Sequence, residues 1–172
     1  KYPRVDRGFS GNLPGSLDRT FSRDTLPKEY SGAGEMDYHT PATIVRQENG
    51  SNSLMLKYKN YKIEDGKPKL EGLPAAYVEN EKEAQTLTIT LEDELTGLEY
   101  DLLYTVYRDV SIITRSVKVR NTGKKTVFLE KVASLQLDFV DRDFDSICLP
   151  GAHANERHLE RSSVGYGIQK FG

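Results

Sequence analysis

Thr86-Leu87-Thr88-Ile89-Thr90-Leu91-Glu92 and, shortly after it, Leu98-Glu99-Tyr100-Asp101-Leu102-Leu103-Tyr104-Thr105-Val106 are the stretches that decide the fold. In the first, Leu87, Ile89 and Leu91 alternate with polar partners, and Leu98, Tyr100, Leu102, Tyr104 and Val106 repeat the period of two in the second. Residues two apart share one face of a strand, so this pattern predicts strands with one apolar face. Ile113, Val117 and Val119 carry it a third time. After Asn121-Thr122-Gly123-Lys124, a turn-forming run that favours positive φ at Asn or Gly, Val127 and Leu129 begin a fourth strand. Val132 is out of phase with Leu135, Leu137 and Phe139, which predicts a bulge between Glu130 and Leu135. Successive strands with short links predict an antiparallel meander over residues 86–139, belonging to a sandwich. Leu87, Ile89, Leu91, Leu102, Val106, Val117 and Val119 are its expected buried positions. The opposite face, rich in Thr, Lys, Glu and Arg, is expected to meet water or another domain.

Upstream, Leu54, Leu56 and Tyr58, then Tyr61 and Ile63, read as half-buried strands ending at the turn Glu64-Asp65-Gly66-Lys67-Pro68. Residues 1–42 read differently. Gly8, Gly11, Pro14, Gly15, Pro27, Gly32, Gly34 and Pro41 interrupt any regular period, so this is a Gly/Pro-rich loop segment, of a length that is functional or pinned against something else. No ten-residue stretch has a helical period and no repeat of 20 to 50 residues occurs, so helix content is expected to be low. The 172 residues suit a single β-sandwich domain. The start at Lys1-Tyr2-Pro3-Arg4, without Met or a charged-then-apolar leader, suggests a piece cut from within a longer protein.

Composition narrows the function. With 37% hydrophobic and 29% charged residues the chain looks globular, and no apolar run approaches the roughly 18 residues of a transmembrane helix. A formal charge of −2 with both signs interspersed argues against nucleic acid as a partner. Cys148, the only cysteine, allows no internal disulfide; it favours a reducing compartment, hence the cytoplasm, and its flanks Ile147 and Leu149 suggest a buried strand position. His153 and His158 stand five apart around Glu156, the wrong spacing for a helical metal pair, so no metal or other cofactor is expected. Asp138, Asp141, Asp143 and Asp145 contain a formal acid pair, as a glycosidase needs, but four acids at a strand end read first as a solvated loop. The ten tyrosines are more simply strand residues than sugar-stacking platforms.

One string adds a more specific reading. Gly11-Asn12-Leu13-Pro14-Gly15-Ser16-Leu17-Asp18-Arg19-Thr20-Phe21-Ser22-Arg23-Asp24-Thr25-Leu26-Pro27-Lys28-Glu29-Tyr30, continuing through Gly34 to Asp37-Tyr38-His39-Thr40-Pro41-Ala42, resembles the amino-terminal domain of family 36 α-galactosidases, or melibiases. Tyr58-Lys59, Gly66-Lys67-Pro68, Gly72-Leu73-Pro74-Ala75, Thr86-Leu87, Thr114-Arg115-Ser116 and Leu149-Pro150-Gly151-Ala152-His153 with Glu156-Arg157 follow that family's pattern in order. His39 departs from it, standing where many members carry Arg.

The resemblance implies an all-β fold, an antiparallel β-supersandwich of the galactose mutarotase-like kind, of which this chain is a fragment with missing sheet partners. It also implies a downstream (β/α)₈ barrel that hydrolyses terminal α-galactosyl groups of melibiose- and raffinose-type oligosaccharides with retention, through two aspartates about 5 to 5.5 Å apart. No barrel pattern is present, so no residue here is assigned a catalytic role. Homotetramer assembly in the full-length protein is a further implication. In such a tetramer Asp6 and Arg19 would line the neighbour's substrate entrance, Arg19 donating to sugar hydroxyls or a carboxylate; ion pairing within the loop is the simpler role for them. The alternative is a stand-alone carbohydrate-binding or structural sandwich. A mutarotase-like epimerase using His153 and Glu156 is disfavoured, because residues three apart on a strand face opposite sides.

Overall fold

The computed structural model describes residues 27–34, 40–72, 75–139, 143–154, 156–165, 167 and 169–170. They hold β1 (Thr43–Gln47), β2 (Lys57–Asp65), a 3₁₀ turn (Glu81–Glu83), β3 (Ala84–Asp93), β4 (Leu98–Tyr107), β5 (Ile113–Asn121), β6 (Val127–Val132), β7 (Asp145–Cys148) and β8 (Glu160–Ser163). The chain divides into two compact units, residues 1–137 and 138–172. In the second, β7 and β8 form an antiparallel pair.

In the first unit β2-β3-β4-β5 form an antiparallel sheet and β1-β6 a second, two-stranded one. The expected meander is therefore present but displaced by one strand. Its fourth member is β2, on the β3 side, whereas β6 leaves the sheet to pair with β1. A period of two shows which face of a strand is apolar, not which neighbour it joins. Register in the large sheet is continuous from Ala84↔Tyr107 to Asp93↔Leu98 and from Leu98↔Asn121 to Val106↔Ile113. The predicted bulge occurs at the near end of its window: Ile44 pairs with Lys131 and Val45 with Leu129, so Glu130 is the extra residue of β6.

The core lies between the two sheets. Leu98, Tyr100 and Leu102 of β4 meet Val45 of β1, with Tyr30, Ala42 and Leu54 filling the rim. Ile89, Leu91, Val117 and Val119 are half-buried against this cluster, as are Leu56 and Tyr104. Leu102 is fully buried as expected, but Leu87 is only half-buried and Val106 is 50% exposed. Val106 shares the core face, yet it sits at the end of β4 opposite Ile113, itself 67% exposed, and nothing among the described residues covers that end. β2 also departs from expectation, since every residue of it is exposed.

The other face of the large sheet is less wet than its composition suggests. Thr86, Thr88, Thr90, Thr105 and Asp101 are buried. Mutual hydrogen bonds make that affordable: Thr86 Oγ1 meets Thr105 Oγ1 at 2.8 Å and donates to the Gly66 carbonyl at 2.7 Å, and Thr90 donates to Asp101 at 2.8 Å.

Two turns lock together at one end of the sandwich. Gly97 closes the β3–β4 turn at φ 73°, and a Cβ there would lie 2.6 Å from the backbone of Gly123 in the β5–β6 turn. Gly123 is thus needed for close approach and not for positive φ, which neither it nor Asn121 adopts. Thr122 N and Oγ1 both donate to the Gly97 carbonyl at 2.8 Å.

Thr43 Oγ1 and the Tyr100 hydroxyl, 2.9 Å apart and fully buried, bridge the two sheets. Thr43 Oγ1 also donates to the Lys131 carbonyl at 3.1 Å, whereas the Tyr100 hydroxyl has no other hydrogen-bond partner among the described residues. Thr43→Val, which orphans the tyrosine, is expected to destabilise by about 1 to 3 kcal/mol, and Tyr100→Phe by about 0.5 to 1.5 kcal/mol. Leu102→Ala should lose about 2 to 5 kcal/mol while Val106→Ala stays within about 0.5 kcal/mol. Urea unfolding checks both rankings; equal losses within either pair would contradict this packing.

Candidate functional site

Asp6 and Arg19 lie outside the described residues, as do His39 and Asp141. Asp145 is placed on β7, where Arg161 of β8 donates to it through Nε at 2.7 Å and Ser163 through Oγ at 3.1 Å. Those bonds give it a cross-strand structural role and not that of a free acid. His153, Glu156 and His158 are exposed, and among the described residues no three metal-ligating side chains gather. Cys148 is on a strand as expected, but half-buried, with Ser146 Oγ 3.5 Å from its sulfur.

Strand register gathers two polar clusters, on opposite faces of the large sheet, from residues far apart in sequence. On the threonine face, register sets Glu92 opposite Glu99 and Glu99 opposite Arg120. The bulge in β2 between Tyr58 and Asn60 delivers Lys59 to the same place. Lys59 Nζ lies 2.7 Å from both Glu92 and Glu99, and Arg120 donates to Glu99 at 2.9 Å and also to Asp101. The hydrogen bond from Lys59, then that from Arg120, holds the Glu99 carboxyl below the usual range, while Glu92 first and Glu99 second raise Lys59. Asp101, then Glu99, raises Arg120. A carboxylate fixed in its ionised form between two cations has no proton to give, so Glu99 is unsuited to general-acid work.

On the core face, Arg115 stacks 4.0 Å above the centroid of the Tyr104 ring and donates from Nη1 to Glu29 at 2.9 Å. The Tyr104 hydroxyl donates to the same Glu29 carboxylate. The Arg115 side chain is only 6% exposed, and its Nε and Nη2 are buried without an acceptor among the described residues. Nearby, burial first and the field of Tyr100 second push the Tyr30 hydroxyl up to about 12, so it stays protonated and donates to the Ala133 carbonyl at 2.7 Å. The Thr114-Arg115-Ser116 match was visible in sequence; the stacking partner was not, because it follows from the pairing Tyr104↔Arg115.

The Glu99 cluster has a pH signature. Glu99 has a lowered folded-state pKa, so its contribution is present above the ordinary glutamate value of about 4.3 and is lost as pH falls through the folded value. Lys59 is raised, so its contribution is complete below about 10.4 and is lost as pH rises through its folded value. Tm measured from pH 6 down to pH 3 should therefore fall more steeply for the native chain than for Glu99→Gln. Parallel slopes would remove Glu99 from the acid response.

Comparison with known proteins agrees with the fold and the quoted motifs. The glycosyl hydrolase family 36 N-terminal domain profile matches residues 3–172. Alpha-galactosidase Mel36A of Lactobacillus acidophilus (strain ATCC 700396 / NCK56 / N2 / NCFM) is 67% identical over 171 residues, 99% of this chain and 23% of that protein. Alpha-galactosidase 1 of Pediococcus pentosaceus is 69% identical over 172 residues, 100% of this chain and 24% of that one. The crystal structure of the GH36 alpha-galactosidase AgaA from Geobacillus stearothermophilus superimposes with a TM-score of 0.87 at 48% identity, covering 97% of this chain and 23% of AgaA. Variants of AgaA have been crystallised in complex with stachyose and with raffinose. The chain thus spans about a quarter of the length of the curated relatives it matches. With an antiparallel all-β sandwich and a match running from residue 3 to residue 172, the chain belongs to the glycosyl hydrolase family 36 N-terminal domain family.

Proposed function

We propose that this chain is the non-catalytic amino-terminal part of a retaining α-galactosidase that hydrolyses terminal α-galactosyl groups of raffinose-type oligosaccharides. The observation carrying this is the 67 to 69% identity to two alpha-galactosidases over essentially the whole chain, which is only 23 to 24% of their length. In this reading the two catalytic carboxylates stand on a (β/α)₈ barrel in the remaining three-quarters of the polypeptide. The ion-paired state of Glu92, Glu99 and Asp101 supports that division of labour, because those acids are occupied in holding the sheet. The parent enzyme is a cytoplasmic homotetramer. Free Cys148 supports a reducing compartment.

Asp6 and Arg19 belong, in this reading, at the substrate entrance of a neighbouring subunit. A long Gly- and Pro-interrupted segment loses conformational entropy when ordered, and contacts across a subunit boundary would offset that loss. Arg19 supplies a planar donor fork suited to sugar hydroxyls or to a carboxylate.

The 172-residue chain alone, with a strand-dominated circular dichroism spectrum confirming its fold, is expected to leave a chromogenic α-galactoside intact. Turnover above background that disappears in Asp141→Asn or Asp143→Asn would overturn the non-catalytic assignment. In the full-length enzyme, Arg19→Ala is expected to raise KM for an oligosaccharide with the tetramer intact. Unchanged KM, kcat/KM and assembly would exclude Arg19 from the entrance.

A further inference from the structure

The turn that follows β1 holds a chemically reactive pair. Asn49 is the one asparagine of this chain followed by glycine, and both residues are exposed. Gly50 N donates to the Gln47 carbonyl at 2.9 Å and Gln47 N to the Ser51 carbonyl at 2.8 Å, so residues 48–50 form a tight three-residue loop. Neither Glu48 nor Asn49, the central residues of that turn, has a positive φ, which makes it type I, and Gly50 follows at φ 83°.

The Asn49 side chain curls forward along the chain. Its Oδ1 accepts from Ser51 N at 3.0 Å, which lays the side-chain amide over the Gly50 peptide group. That N–H stands where negative charge gathers on Oδ1 when a nucleophile adds to Cγ. A Cβ on Gly50 would meet nothing within 4 Å, so the approach of its nitrogen is unobstructed. One bond opposes reaction. An amide nitrogen becomes a nucleophile only after losing its proton, because its lone pair is delocalised into the carbonyl, and the Gly50 proton is held by Gln47. An exposed turn resting on two backbone bonds opens locally far more readily than the sheet behind it.

We propose that Asn49 is a site of spontaneous deamidation, gated by local opening of the turn over residues 47–50. Hydroxide removes the Gly50 N–H proton, the nitrogen bonds to Asn49 Cγ, and the Cγ–Nδ2 bond breaks, Nδ2 taking a proton from water and leaving as ammonia. Water then opens the resulting succinimide ring. Cleavage between the ring nitrogen and Cγ gives an aspartate at position 49. Cleavage between that nitrogen and the main-chain carbonyl carbon gives an isoaspartate, with one more methylene in the backbone. Either product sets a second carboxylate beside Glu48. Asn52, Asn60, Asn80 and Asn121 are followed by Ser53, Tyr61, Glu81 and Thr122, whose side chains crowd the attacking nitrogen. Asn80 and Asn121 are further held by their own hydrogen bonds, to Lys82 N and to the Lys125 carbonyl.

The experiment uses the full-length protein, incubated at pH 7 and at pH 9 below its unfolding temperature and then digested. Peptides spanning position 49 are separated against synthetic standards carrying asparagine, aspartate or isoaspartate there. Conversion at Asn49 should outrun that at Asn52, Asn60, Asn80 and Asn121 at least tenfold, rise with pH, and give more isoaspartate than aspartate. Gly50→Ala should slow it at least tenfold. Glu48→Pro keeps the Asn-Gly pair but stiffens the first central position of a type I turn, and should slow conversion about threefold. Unfolding in urea should speed it by a similar factor. Conversion at Asn49 no faster than at the other four asparagines would overturn the site. Equal rates in the native, Glu48→Pro and unfolded chains would overturn the gating; if Glu48→Pro fails to fold, the native and urea rates still decide.

Discussion

The bond between Tyr100 and Thr43 fixes how the two sheets of this sandwich meet. Both residues are shut off from solvent, and burial raises the pKa of the Tyr100 hydroxyl, which keeps it protonated. A phenol in an apolar layer is tolerated only where its hydroxyl finds a partner, and Thr43 of β1 supplies it. Tyr30 repeats the arrangement alongside, its ring centroid 5.9 Å from that of Tyr100 and its hydroxyl tied to Ala133 just past β6. Slipping β4 by one residue would turn Tyr100 toward the threonine face and strand its hydroxyl, leaving Thr43 Oγ1 the Lys131 carbonyl alone. Register, sheet-to-sheet placement and the path of residues 30–34 are thereby coupled through two polar atoms in an otherwise apolar layer.

This coupling explains which parts of the fold were legible in sequence. β3, β4 and β5 announce themselves because each keeps strict alternation over a long run. β1 escapes notice: it is five residues long and lies opposite the bulge at Glu130, and adjacent Ile44 and Val45 break the alternation. β8, Glu-Arg-Ser-Ser, has no apolar residue to report its face. The threonines misled for a different reason. Their branched side chains suit a strand on either face, and hydroxyls that satisfy one another can be buried at little expense, so a Thr-rich stripe does not by itself mark a wet surface.

The polar clusters were less legible than the strands. Sequence alone gives Lys59, Glu92, Glu99, Asp101 and Arg120 as scattered charges, and only the β2 bulge with the β3-β4-β5 register gathers them. Arg115 is similar: a three-residue match marks it, but its stack on Tyr104 and its shared Glu29 appear only when β4 and β5 are paired. Asp6 and Arg19 came from resemblance and lie outside the described residues, so the geometry here bears on neither.

The two edges of the large sheet differ in how they are defended. β2 carries Lys57, Lys59 and Lys62, each in an ion pair, and each of its exposed Tyr58, Tyr61 and Ile63 is next to at least one of these lysines. Charged side chains at such spacing discourage another strand from adding. β5 borders a groove instead, and its buried arginine offers hydrogen bonds that the described residues leave unanswered. The two edges of one sheet thus differ in character, β2 carrying paired charges and β5 bordering a cation-lined groove. The core between the sheets, tied by Tyr100 and Thr43, sits away from both edges, so register is set by the interior strands and not by what borders them.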